Sequence, residues 1–163
     1  MKPLRIQFVL LCSILAGCSS GAPEAEPLPD PGAPTQLTVQ VEGVVDPHGT
    51  INVGIYADPK SWLTEEGVEF GKVGRVGAVG EPVDVIFESI PAGHYAISLY
   101  QDVDESRTFD RGALGIPTEP WGMSNDASGG FGAPKFEDAL VTVSSPETTV
   151  TIQLRTGLGW PTH

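Results

Sequence analysis

Residues 37–42 read LTVQVE and alternate apolar with polar side chains, the period-two pattern of a strand with one buried face. Residues 51–55 read INVGI and repeat this alternation. Between the two runs lie Asp46, Pro47 and Gly49, which are residue types that favour a turn. We therefore expect the two strands to pair with each other as a β-hairpin.

The same strand pattern recurs along the rest of the chain. We expect further strands over residues 83–88, 95–99, 139–143, 150–154 and, in a glycine-containing segment, 72–79. One helical turn is expected over 61–66, with Ser61 as its N-cap. Because no long helical period appears, the predicted fold is all-β: an antiparallel β-sandwich of the immunoglobulin or transthyretin type, with one long loop rich in Gly and Pro.

The N-terminal segment has the pattern of an export signal. A basic start, residues 1–5, is followed by the apolar run 6–15 and by LAGC at 15–18. This arrangement resembles the signal peptide and lipobox of bacterial lipoproteins, and the run is too short to span a bilayer. The resemblance implies cleavage before Cys18 and anchorage by acyl chains, such as palmitate, attached there. Ser19 resembles an outer-membrane sorting context, which predicts an extracytoplasmic protein at the outer membrane, facing the periplasm. An ordinary signal peptide with a chance cysteine is the alternative.

Composition then sets the domain boundaries. We predict a signal peptide over 1–17, a lipidated cysteine with a flexible Pro-rich spacer over 18–35, the β-sandwich over 36–156 and a tail over 157–163. The 163 residues carry a formal net charge of −12. A protein surface with this excess of negative charge repels nucleic acid, so we expect no nucleic-acid partner. It attracts cations and basic partners, although high charge also serves solubility alone.

Residues 99–139 contain no predicted strand, and a loop of about forty residues inside a compact domain is normally functional or organised by an ion. Its first part carries oxygen ligands at the spacing of a calcium loop: the side chains of Asp102, Asp104, Ser106 and Asp110 and the backbone carbonyl of Thr108. The match to an EF-hand is incomplete, because Arg107 occupies the glycine position and Ala113 the position of the final glutamate. We predict a Ca²⁺ site at these five residues. In the alternative interpretation, Arg107 pairs with an acid and no metal binds.

Four motifs in and beside this loop carry a family resemblance. They read PAGHYA at 91–96, QDVDESRTFD at 101–110, GIPTEPWGMSN at 115–125 and GAPKFEDA at 132–139. Together they resemble a bacterial exported family catalogued as domain of unknown function 2141, over most of residues 37–154. That family has histidine at the position of Gln101 and glycine at the position of Arg107. The resemblance implies a secreted β-sandwich and no established activity.

The second part of the loop is rich in aromatic residues. Trp121, Phe131 and Phe136 are expected to fold the loop back over the sandwich as a satellite core. The alternative is an exposed Trp121 platform for a sugar or peptide ring, with Glu119, Asn125 and Phe136 as further binding residues.

The sequence contains none of the common catalytic signatures, such as a zinc-type histidine pair, a phosphate loop or a nucleophile elbow. The predicted function is a non-catalytic binding or structural module that presents loop 102–138 to an envelope protein or glycan, or uses it only as a lid. The alternative is a small hydrolase of envelope glycans whose acids are drawn from Asp102, Asp104, Asp110 and Glu119.

Overall fold

The computed structural model describes residues 34–129 and 132–158, and within these ranges the regular structure is almost entirely β. The strands are β1 Pro34–Glu42, β2 Thr50–Tyr56, β3 Phe70–Arg75, β4 Val83–Pro91, β5 Gly93–Asp102, β6 Trp121–Met123, β7 Leu140–Val143 and β8 Glu147–Gln153. Short 3₁₀ turns lie at Pro59–Ser61, Glu65–Gly67, Ala113–Gly115, Ser124–Asp126 and Phe136–Ala139. No helix within the described ranges has the length and apolarity needed to cross a bilayer.

The strands form two sheets. One sheet has the order β4-β1-β8, and the other has the order β3-β2-β5-β6 with β7 also paired to β5. Neighbouring strands are antiparallel except for β1 and β8, which are parallel. The predicted all-β sandwich is therefore confirmed, with one parallel pair added to it.

The core lies between the two sheets and follows from the alternation in each strand. Leu37, Val39 and Val41 of β1 have no exposed surface, and Ile97 of β5 and Ile152 of β8 are equally buried. Because side chains on a strand alternate between its faces, every second residue of β1 faces the opposite sheet. Burial of each such aliphatic side chain contributes about 1.5–3 kcal/mol.

The predicted hairpin between the first two strands is wrong, because β1 and β2 belong to different sheets. The segment 43–49 crosses the end of the sandwich and buries Val44 in the core, where it is 1% exposed. Gly49 ends this crossing with φ +82°, and a Cβ atom there would lie 1.9 Å from the Asp102 carbonyl oxygen. Alternation predicts which face of a strand is buried, and it carries no information on which strand is its neighbour.

The helical turn predicted over 61–66 is also wrong in its position and its cap. Two 3₁₀ turns form instead, Pro59–Ser61 and Glu65–Gly67. The Asp58 carboxylate caps the first by accepting a hydrogen bond from the Lys60 backbone N–H at 2.9 Å. Pro59 follows this cap because its fixed φ suits the first turn of a helix.

Loop residues cover the outer face of the larger sheet. The Trp62 ring contacts Phe136 at a centroid distance of 5.9 Å and Tyr56 at 5.0 Å, and its Nε1–H donates to the Pro134 carbonyl oxygen at 2.9 Å. The predicted satellite core is thus present around Phe136. The expectation that 99–139 holds no strand is wrong, since β6 pairs with residues 98–100 of β5. At three residues, β6 is too short to show a periodicity.

Gly122 of β6 provides a test of how closely β6 packs over β8. A Cβ at this position would lie 2.7 Å from the Ile152 Cγ2 and 2.8 Å from the Gln153 carbonyl oxygen. We expect Gly122→Ala to lower the free energy of unfolding by about 1–3 kcal/mol, because one of the neighbours is backbone and must shift. Urea denaturation measures this change. Gly77→Ala is the control, because its Cβ would meet nothing within 4 Å, and an equal loss in both variants would contradict the packing.

Candidate functional site

Asp102 ends β5 and organises the loop that follows it. Its side chain is buried, with the residue 1% exposed, although it is a carboxylate. Its Oδ1 accepts the Ser106 backbone N–H at 2.9 Å and its Oδ2 accepts that of Arg107 at 2.8 Å. The chain reverses through two residues with left-handed φ, Glu105 at 58° and Arg107 at 66°. Asp102 therefore replaces the backbone partners that these amides lack in an irregular turn.

Glu119 closes the same loop from the other side. It is 6% exposed, and its Oε1 accepts the Val103 N–H while its Oε2 accepts the Asp110 N–H, both at 3.1 Å. Gln101 donates its backbone N–H to the Pro120 carbonyl oxygen at 2.8 Å, which places Glu119 beside the end of β5. The Glu119 side chain thus accepts hydrogen bonds from both ends of the segment 103–110.

Three carboxylates converge at this point. Asp102, Asp104 and Glu119 each offer an oxygen, and these oxygens lie within 4.8 Å of one another. Asp104 is exposed and accepts the Ser106 N–H at 3.1 Å. Within residues 34–129 and 132–158, no Lys or Arg side chain forms a salt bridge with any of the three. We call Asp102, Asp104 and Glu119 the carboxylate cluster.

The expected pairing of Arg107 with an acid does not occur among the described residues. Arg107 contributes its backbone N–H to Asp102, but its guanidinium forms no salt bridge. The other nearby arginine, Arg111, lies over the Phe109 ring at 4.9 Å from its centroid. Among the residues that the structure describes, the negative charge of the cluster is therefore countered by amide dipoles and by no salt bridge.

Burial of Glu119 and repulsion by neighbouring carboxylates both raise its pKa. Loss of solvent raises the pKa of Glu119 above its ordinary value of 4.5, and the negative charges of Asp102 and Asp110 raise it further. The hydrogen bonds from the Asp110 and Val103 amides lower this pKa and offset only part of the increase. The ionised form of Glu119 is thus held in place at a free-energy cost.

The side chains of the remaining predicted calcium ligands hydrogen-bond to one another. The Ser106 and Thr108 hydroxyl oxygens are 3.1 Å apart, and the Thr108 Oγ1–H donates to the Asp110 Oδ1 at 3.1 Å. Ser106 also donates to the Thr108 carbonyl oxygen at 3.3 Å, the atom that the calcium-loop spacing assigned to the metal. Only Asp102 and Asp104 of the five predicted ligands meet in the carboxylate cluster, and Glu119 joins them. Nothing in the sequence spacing indicates that residue 119 would approach residue 102.

A cavity of about 380 Å³ opens beside the cluster. Its lining includes Val45, Asp46, Asp104, Asp110 and Glu119. Val103, Thr118, Pro120 and Thr156 complete the lining, so four of its nine residues are acidic and none is basic, which makes this concave surface negative.

Gln101 supports the neighbouring loop and was not predicted as a site residue. It has no exposed surface, and its Nε2 donates to the Asp46 and His48 carbonyl oxygens at 2.8 Å each. Its Oε1 is buried and has no hydrogen-bond partner among the described residues. The sequence signal at this position was the family resemblance, in which Gln101 stands where the family has histidine.

The residues predicted as a binding set do not form one surface. Trp121 is 9% exposed and donates its Nε1–H to the Gly157 carbonyl oxygen at 2.9 Å, so its ring is not an exposed platform. Phe136 packs in the satellite core. The Asn125 Nδ2 donates to the Leu140 carbonyl oxygen at 2.8 Å and so supports the start of β7. Glu119 belongs to the carboxylate cluster instead. Several predicted features lie outside the described residues: Phe131, the predicted lipidation site Cys18, the predicted signal peptide and most of the predicted spacer and tail.

The raised pKa of Glu119 predicts a specific pH dependence of stability. The folded chain binds this proton more tightly than the unfolded chain, so ionised Glu119 destabilises the fold above its folded pKa. This destabilisation disappears as the pH falls to 4.5. In EDTA, we expect the Tm of the wild type relative to that of Glu119→Gln to rise as the pH is lowered from about 7 to about 4.5. Thermal melts monitored by circular dichroism at each pH measure this difference in Tm.

Glu88→Gln is the matched control for this experiment, because it removes a carboxylate from an exposed position on β4. A Tm difference between wild type and Glu119→Gln that stays constant, or that falls on acidification, would contradict the cost assigned to ionised Glu119.

Comparison with known proteins agrees with the motif resemblance. A model of the family described as "Uncharacterized protein conserved in bacteria (DUF2141)" matches residues 39–151. No curated protein and no solved structure matches the chain. Because the matched range covers well over half of the 163 residues, the chain belongs to this bacterial family, DUF2141.

Proposed function

We propose that this protein is a membrane-anchored, non-catalytic binding module of the bacterial cell envelope, acylated at Cys18, whose carboxylate cluster binds Ca²⁺. In this proposal the acyl chains hold the protein on the periplasmic face of the outer membrane, and loop 102–138 meets an envelope protein or glycan. The observation that carries the proposal is the convergence of three carboxylates, two of them buried, none of which forms a salt bridge with a Lys or Arg side chain within the described parts of the chain.

The hydrogen bonds of the cluster support cation binding because they leave coordination capacity. Each oxygen of Asp102 and Glu119 accepts one backbone N–H. A carboxylate oxygen has a second lone-pair site, which a cation can occupy without displacing the amide. The amides therefore fix the carboxylates in position, so that little side-chain entropy is lost when an ion binds.

The number and type of oxygens favour Ca²⁺. Three carboxylates supply three to six ligand oxygens, and Ca²⁺ takes six to eight, with the remainder from water or carbonyl groups. Without a cation, three negative charges held within 4.8 Å repel one another. The hydrolase alternative needs two carboxyl groups that flank a scissile bond, about 5–10 Å apart, and no observation on the described residues favours it separately.

The lipid anchor is supported by the sequence before the domain. LAGC at 15–18 follows a basic start and an apolar run, and the first described strand begins at Pro34. Two or three acyl chains anchor stably, because each buried CH₂ contributes about 0.8 kcal/mol.

Calcium addition tests the cluster. We expect Ca²⁺ at about 10 mM to raise the free energy of unfolding of the purified protein by about 1–3 kcal/mol relative to EDTA, because a ligand bound only to the native state stabilises it. Asp102→Asn and Glu119→Gln should each abolish most of this rise, since each removes a negative ligand. Thermal and urea melts at equal ionic strength measure the effect.

Glu88→Gln is again the control and should respond to Ca²⁺ as the wild type does. An unchanged melting temperature of the wild type in Ca²⁺, or an equal rise in Asp102→Asn, would remove Ca²⁺ from the proposal.

Acyl labelling tests the anchor separately. We expect cells fed alkyne-labelled palmitate to label the wild type, and Cys18→Ser to lose the label and leave the membrane fraction. Cys12→Ser is the matched control and should retain both, because Cys12 lies in the apolar run that the predicted cleavage removes. Undiminished labelling of Cys18→Ser would show that Cys18 is not the anchor.

A further inference from the structure

A groove runs between the last two strands on one side of the sandwich. Strands β7 and β8 are joined by a short turn, but they belong to different sheets and do not pair with each other. Between them lies a cavity of about 480 Å³, lined by residues 140–142 of β7 and 148–151 of β8. Asn125 and Asp126 complete its lining. We call this cavity the edge groove.

The backbone of β8 has unpaired groups on the side that faces away from β1. The Pro146 carbonyl oxygen accepts an N–H of β1 at 3.1 Å, and the Leu154 N–H donates to a carbonyl oxygen of β1 at 2.8 Å. Because alternate residues of a strand bond to the same neighbour, the even-numbered residues of β8 pair with β1. Thr149 and Thr151 therefore direct their N–H and C=O groups away from β1 and toward the edge groove. Within the described residues, these groups form no backbone hydrogen bond beyond the β1–β8 ladder.

Strand β6 covers the edge of β8 only beyond residue 152. Trp121 of β6 exchanges two backbone hydrogen bonds with Arg155, both at 2.8 Å. A Cβ atom at Gly122 would lie 2.8 Å from the Gln153 carbonyl oxygen. Strand β6 thus takes the position of a neighbouring strand at residues 153–155, and the edge of residues 147–151 is left for one more strand.

The edge groove lacks the side chains that normally protect a free strand edge. Edge strands usually carry charged residues or Pro, which prevent pairing with another chain. The edge strands on the opposite side of the sandwich carry such charges, Lys72 on β3 and Asp84 and Glu88 on β4. In contrast, residues 148–151 read TTVT and residues 140–142 read LVT. The two strand walls of the groove are therefore uncharged, which permits pairing with an added strand.

Charge and shape select the occupant. Asp126 is the charged residue of the lining, and its Oδ1 is paired with the Arg155 Nη2 at 3.2 Å, so the groove complements an uncharged segment. Leu140 and Val141 are half-buried and form an apolar wall. A second copy of the chain would present the same concave groove, and two concave surfaces cannot enter each other. An extended peptide can enter, because its own N–H and C=O groups complement the free groups of β8.

We propose that the edge groove binds an extended, uncharged segment of another protein, which adds to the free edge of β8 as a strand. Thr149 and Thr151 form main-chain hydrogen bonds with the segment, and Leu140 and Val141 contact its alternate side chains. The groove shares no lining residue with the carboxylate cluster, so this inference goes beyond the proposed function.

Selection of a phage-displayed library of random peptides on the purified full chain in EDTA tests the proposal. We expect the selected peptides to alternate apolar and polar residues and to lack Pro, which has no N–H to donate. A selected peptide, made synthetically, should bind the wild type and Thr149→Val with equal Kd. Its Kd for Thr149→Pro should be weaker by about tenfold or more, because the donor is lost and the ring occupies its place. Thr149→Pro should leave the β1–β8 pairing intact, since the Thr149 N–H faces away from β1.

Replacement of single amides by esters in the same peptide tests these bonds on the wild type, so the result does not depend on how Thr149→Pro folds. An ester removes one N–H donor and adds no bulk. The replacement is made at each of two adjacent central positions. At one position it should weaken the Kd by about fivefold, and at the other it should leave the Kd unchanged, because successive amides of a strand point to opposite sides.

The inference is overturned if no peptide is enriched, if a natively melting Thr149→Pro binds the peptide as tightly as the wild type, or if neither ester changes the Kd. Self-association of the wild type that Thr149→Pro abolishes would assign the groove to a second copy and also overturn it. The same holds if a synthetic peptide with the sequence of residues 19–33 binds the wild type and not Thr149→Pro. Because EDTA is present throughout, failure here is distinguishable from failure of Ca²⁺ binding in the proposed function.

Discussion

The irregular half of this protein depends on hydrogen bonds from backbone amides to two buried carboxylates. Asp102 and Glu119 together accept the N–H groups of Val103, Ser106, Arg107 and Asp110, which have no strand or helix partner of their own. A buried charge is tolerated only when it is hydrogen-bonded or paired. Here the amides satisfy the hydrogen-bonding capacity of the carboxylates without neutralising their charge, so the same interaction that folds the loop concentrates negative charge at the end of β5.

The sandwich gives this centre a rigid base. Asp102 is the last residue of β5, which pairs with β2, β6 and β7. The satellite core around Phe136 holds the second part of the loop against the outer face of the same sheet. The packed layer therefore supports a long loop, and the acidic cavity lies at the end of the sandwich where β5 ends. Sites are positioned more exactly when a strand and a packed layer support them.

Particular residues show where sequence reasoning succeeded. The alternation of Leu37, Val39 and Val41 identified the buried face of β1, and the spacing of Asp102 and Asp104 predicted that their carboxylates lie close together, as they do. The same reasoning failed for the hairpin after β1 and for β6. Pairing of strands is decided by contacts between distant residues, and β6 owes its existence to neighbours on β5 rather than to its own three residues.

By itself, the sequence determined the all-β class, the faces of the strands and the excess of negative charge, because these depend on periodicity and composition. It also contained the motifs of DUF2141, which are local. Only the tertiary structure decided that Glu119 would stand beside Asp102 while Asp110 joined Ser106 and Thr108, and that Trp121 would be buried. These outcomes depend on how a long loop returns to the end of β5, and that path is set by packing and amide hydrogen bonds between residues far apart in the chain.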